Sequence, residues 1–98
     1  MERIGDLLPD AARQLGLEDE LRLARAATTW SAIVAEHAPA ASGLTRLVRL
    51  DGTTLVVDAE APIVAQELRL HGPELLEAFG AAPGGQPARQ LHVRVTRG

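Results

Sequence analysis

Three histidines, two serines and a scatter of carboxylates are the side chains here that could ligate a metal, move a proton or attack a bond. A hydrolase needs a nucleophile, a base and an orienting acid able to converge. His37, His71 and His92 fall at a predicted helix end, a predicted kink and a predicted strand, without metal-ligand spacing, so solvated or capping roles explain them better than a site. Ser31 and Ser42 lie in no Gly-x-Ser-x-Gly elbow, and Gly84-Gly85 lacks the Lys that completes a phosphate-cradling loop. Glu36 and Glu67 could be offered as an acid pair, but a solvated helix face accounts for each. With no Cys, disulfides, thiolate metal sites and a cysteine nucleophile are excluded. The expectation is a protein that is not an enzyme and holds no cofactor or metal.

The remaining chemistry is that of binding. All ten basic residues are Arg, and the net charge is −3. An acidic total argues against a protein that coats nucleic acid. The distribution is uneven, however: Glu18, Asp19, Glu20, Glu67, Glu74 and Glu77 crowd predicted helices, whereas the last ten residues carry Arg89, Arg94 and Arg97 with no acid.

The elements that position these side chains can be read from periodicity. Ninety-eight residues make one domain, 1–98, with one modest core. The apolar share of 46% with only 2% aromatic residues means that aliphatic packing fills it, so Trp30 and Phe79 carry unusual weight. No apolar run approaches the ~20 residues of a membrane span, and Met1-Glu2-Arg3 does not open a signal peptide, so the reading is a cytoplasmic protein with no membrane partner.

Ile4, Leu7, Leu8, Ala11, Ala12 and Leu15 predict a first helix from about Asp6 to about Leu15, with Asp6 as N-cap and Gly16 as its left-handed stop. A second helix then runs to His37, just before Pro39, with Leu23, Ala26, Ala27, Trp30, Ile33 and Val34 on one apolar face. After a loop to Gly43 the period falls to two. Strands are predicted at about Leu44 to Leu50 and Thr53 to Glu60, joined by the hairpin signal Asp51-Gly52. A third helix begins near Pro62 and buries Val64, Leu68, Leu75, Leu76 and Phe79, with a kink or a break at His71-Gly72-Pro73. Gly80 to Pro87 reads as a loop, and Leu91, Val93 and Val95 alternate with His92, Arg94 and Thr96 in a third strand.

The fold class is therefore α+β, in the order α-α-β-β-α-β, with a three-stranded sheet and helices packed on one face. The predicted core includes Trp30, Val34, Leu55, Val57, Leu68 and Phe79. Strict alternation sends Val48, Leu50, Leu55, Val57 and Ala59 inward, and puts Leu47 across from Val56 on the open face. There Arg49, His92 and Arg94 ring the two apolar side chains, and Arg97 extends the basic end. An apolar centre rimmed by Arg suits a partner protein or a nucleic-acid backbone, and the bland reading is a solvated sheet face. Four or five phosphate contacts would give a salt slope of roughly −0.7 each on single strands, which is weak binding. Base stacking cannot add to it, because both aromatic side chains belong to the core.

The blocks Trp30-Ser-Ala-Ile-Val-Ala35, Leu44 to Leu50, Asp51-Gly52-Thr-Thr-Leu55-Val-Val57, Ala61-Pro62-Ile-Val-Ala-Gln-Glu-Leu68, Pro73-Glu-Leu-Leu76 and Leu91-His-Val-Arg-Val95 resemble, in that order, the DciA family of bacterial proteins associated with the replicative helicase. The resemblance implies a KH-like α+β domain, docking on the hexameric replicative DNA helicase, help in placing it on DNA, and weak affinity for single-stranded or double-stranded DNA. It implies no enzymatic activity. No Gly-x-x-Gly loop joins two helices, so nucleotide clamping is not supported. The alternative reading is a weak, sequence-independent DNA-binding domain that acts without the helicase.

Overall fold

The computed structural model describes residues 3–96, with side-chain detail from residue 16 onward. Arg97 and the predicted apolar face of the first helix, Ile4 to Leu15, therefore lie outside the residues described at that level. The element order is α1 (Arg3–His37), β1 (Thr45–Asp51), β2 (Thr54–Ala59), α2 (Pro62–Leu70), α3 (Gly72–Ala81) and β3 (Gln90–Val95), with a 3-10 turn at Pro39–Ala41.

The two helices predicted before the sheet are one helix of 35 residues. Gly16 does not take the left-handed conformation of a stop, since among the described residues positive φ occurs only at Gly43 and Gly52. A glycine inside a helix costs only about 1 kcal/mol relative to Ala, too little to end a helix whose later turns are anchored. The anchoring begins at Leu23, and Ala26, Trp30, Ile33, Val34 and Ala38 are buried at spacings of three and four. Side chains from residue 16 to residue 22 are all exposed. At 1.5 Å per residue α1 is about 52 Å long, which accounts for most of the 59 Å longest dimension.

The hairpin forms, with its loop one residue later than the predicted Asp51-Gly52. Asp51 pairs with Thr54, leaving Gly52 and Thr53 as the loop. Only Gly52 has positive φ, +62°, as a two-residue loop with glycine first requires. The sheet order is β1-β2-β3, with β1 antiparallel and β3 parallel to the central β2. Helices cover one face: Leu47, Leu55, Val57, Ala59 and Val93 meet Trp30, Val34, Val64, Leu68, Leu75 and Phe79 in a single core. This is the α+β, KH-like arrangement. The predicted interruption at His71-Gly72-Pro73 is real, because Pro73 offers no N–H and its ring opposes the carbonyl four residues back; α2 ends at Leu70 and α3 starts at Gly72.

One prediction about the sheet fails. Leu47 pairs with Val57 while Arg49 pairs with Val56, so Val48 is an extra residue, a β-bulge. A one-residue slip exchanges the faces of a strand. Leu47 is therefore a core residue, 4% exposed, and not part of the open face, while Val48 is half-buried and outside the core cluster.

Candidate functional site: the open sheet face

Ahead of the bulge, Arg46 turns outward. Three rows then run across the sheet in register: Asp51–Thr54–Gln90, Arg49–Val56–His92 and Arg46–Asp58–Arg94. In the first row the Thr54 hydroxyl donates to Gln90 Oε1 at 3.3 Å. The middle row supplies the apolar centre, although Val56 is itself only 2% exposed beneath its neighbours. Arg49 and His92 flank it and are exposed.

The third row is an ion-pair triplet. Arg94 Nε and Nη2 lie 3.0 and 2.9 Å from Asp58 Oδ1, and Arg46 Nη2 lies 3.8 Å from Oδ2. Asp58 is tied from behind as well: the buried Trp30 indole N–H donates to Thr45 Oγ1 at 3.3 Å, and that hydroxyl donates to the Asp58 carbonyl at 2.7 Å. Arg94 is thus not a free cation, because its guanidinium is engaged by Asp58 within the sheet. Arg49 makes no ion pair among the described residues. Arg89, just before β3, stands at the rim of an open groove of about 590 Å³ that Arg49, Val56 and His92 also line.

Parity puts Asp58 on the open face, but sequence reasoning missed its pairing with Arg46 and Arg94, and it missed a second cluster on the helical side. His37, placed at the last turn of α1, and His71, at the α2–α3 corner, are brought together by Glu74. His71 Nδ1 is 2.8 Å from Glu74 and its Nε2 is 3.2 Å from Glu67, while His37 Nδ1 is 3.5 Å from the other Glu74 oxygen. His92 stays apart on the open face. With a carboxylate at each ring nitrogen, His71 satisfies both contacts only as the imidazolium. The hydrogen bond to Glu74 holds its pKa above the usual 6.5, desolvation opposes this in part, and the charges of Glu67 and Glu74 add to it. The same bond holds Glu74 below its usual 4.5.

The raised base stabilises the fold fully below pH 6.5 and loses that contribution as pH rises through the folded value. The lowered acid contributes above pH 4.5 and loses its share as pH falls through its folded value. Thermal unfolding across this range is expected to show the melting temperature declining above pH 6.5, and His71→Asn is expected to flatten that decline. Parallel profiles for the two proteins would contradict it.

The model of the family described as Dna[CI] antecedent, DciA, matches residues 3–93. The chain belongs to the DciA family. No curated protein sequence matches it. The matched residues include β1 with its bulge, the α2–α3 corner and β3 as far as Val93. As its description says, this family is tied to the Dna[CI] proteins, and so to DNA replication. Among the described residues, no helix of this DciA chain is long and apolar enough to cross a membrane.

Proposed function

We propose that this DciA-family domain is a non-enzymatic replication accessory module that docks on the replicative helicase through its open sheet face and assists the helicase's placement on DNA. The observation that supports this is the middle row of the sheet, where Arg49 and His92 flank a desolvated Val56. Arg is among the residues enriched in the anchoring contacts of protein interfaces, and here Arg49 stands exposed beside a closed floor that is already dry.

Direct DNA binding takes the smaller part. Arg94 and Arg46 are engaged by Asp58, which leaves, among the described residues of this face, Arg49 and Arg89 for phosphates. Two contacts give a salt slope of only about −1.4 on single strands. Such binding disappears at moderate salt, whereas a packed protein contact is screened less.

Arg49→Glu is expected to weaken binding to the helicase by at least about tenfold, the effect of reversing a charge opposite a complementary surface. The melting temperature should hardly move, because the side chain is exposed and unpaired among the described residues. Adding Arg94→Glu would confuse the test, since a new carboxylate would face Asp58 and lower stability as well. Full-strength binding by folded Arg49→Glu would exclude the sheet face.

A further inference from the structure

The outer edge of β3 carries an arrangement that the open-face reading does not use. Gln90 N–H donates to Thr53 O and Thr96 N–H donates to Ala59 O, so even-numbered residues of β3 turn their N–H groups toward β2. Odd-numbered residues turn theirs to the free edge. The Val93 carbonyl confirms this parity by accepting from Arg69 Nη2 of α2 at 3.4 Å. Arg69 therefore occupies the edge at Val93, but the N–H and C=O of Leu91 have no partner among the described residues.

That unpaired position opens into a groove of about 600 Å³ between β3 and α3. Leu76, Ala88 and Leu91, all half-buried against the core, form its apolar floor. Arg69 and Arg89 stand on its walls, with Glu77 the sole acid there. The other edge of the sheet is unlike this one: β1 is bulged and carries Arg46 and Arg49, two devices that discourage strand addition. β3 pairs in register from Gln90 to Val95 without a bulge.

We propose that the β3 edge at Leu91 docks an extended segment of a partner protein that bears aliphatic side chains and one carboxylate. The segment pairs its backbone with Leu91, sets an aliphatic side chain on Leu76 and Ala88, and gives its carboxylate to Arg89, since Arg69 already donates to the Val93 carbonyl. A nucleic-acid strand fits less well. The groove's floor is aliphatic, no aromatic side chain lines it for a base to stack on, and Glu77 stands on its wall.

The test is amide NMR of the isotope-labelled full chain titrated with capped hexapeptides of Val and Leu in which one Glu is moved through every position. The expected result is saturable movement of the Leu91 amide and slowed exchange of its proton, with little change at Val56. Leu91→Pro removes the outward donor while leaving the even-numbered ladder to β2 intact, as an edge position allows, and should abolish binding. Arg89→Glu, which leaves the backbone untouched, should weaken it by at least about tenfold. The proposal is overturned if no peptide moves Leu91 at millimolar concentration, if the peptides move the open face instead, or if Arg89→Glu binds as well as the parent. Tighter binding of a single-stranded oligonucleotide at Leu91 would also overturn it and assign the groove to nucleic acid.

Discussion

Trp30→Ala is expected to leave this chain largely unfolded at ambient temperature. Trp30 is fully buried, is the largest side chain in the core, and joins α1 to the sheet by its indole N–H to Thr45. Truncating a buried Trp costs ~3–5 kcal/mol, set against a total stability of ~5–15 kcal/mol for a domain. With only one other aromatic side chain in the sequence, no neighbour can swing in to fill the space. Circular dichroism is the right probe, since the substitution removes the only Trp fluorophore. Each kcal/mol lowers the melting temperature by about 4–8 °C at this size, so a fall of only a few degrees would mean that the core closes without the indole. Trp30→Phe separates packing from polarity: it keeps most of the apolar volume and loses one hydrogen bond, worth about 1 kcal/mol.

Gly85→Ala is the smallest substitution with a large expected effect. The loop after α3 folds back on that helix, with Gly85 N–H donating to Ala82 O at 3.0 Å. A Cβ on Gly85 would fall well inside 3.0 Å of the Phe79 carbonyl, and backbone cannot rotate away as a side chain can. One added methyl forces the loop off the last turn of α3, a displacement that costs ~1–3 kcal/mol or more by overpacking. Phe79 is fully buried, so the disturbance reaches the core. Gly80→Ala is the control, because a Cβ there meets its neighbours at ordinary contact distances of 3.8 Å and beyond. Equal stability of the Gly80 and Gly85 variants would contradict the close approach.

What the sequence made legible was local. The apolar spacing around Trp30, the hairpin turn at Gly52 and the Pro73 break each act within a few residues, and each appears within a residue of its expected place. Trp30, Val34, Leu55, Val57, Leu68 and Phe79 are all buried in the core. The first helix was cut too early because a glycine's small penalty was weighed as a stop, when packing of later turns holds the helix together. The bulge at Val48 was hidden because strict alternation was assumed. A signal for it existed: the parity that sent Val48 and Leu50 inward also sent Arg46 inward, and a charge in an apolar core demands a slip or a partner.

The open face was read correctly in outline and wrongly in detail. Val56, Arg49 and His92 lie on it, Leu47 does not, and Arg94 is held by Asp58. That grip depends on the register of β2 against β3, set across 36 residues by the packing of α2 and α3. No turn chemistry encodes it. The meeting of His37 with Glu74 is of the same kind, since α1 and α3 touch only once the sheet is built.

The central claim, that this DciA domain docks on the replicative helicase, is tested most directly by calorimetric titration of the chain into the replicative helicase of the same organism, at physiological salt and without DNA. The account predicts saturable heat with micromolar or tighter affinity, and its loss with folded Arg49→Glu. No heat and no binding by the folded parent chain would contradict it.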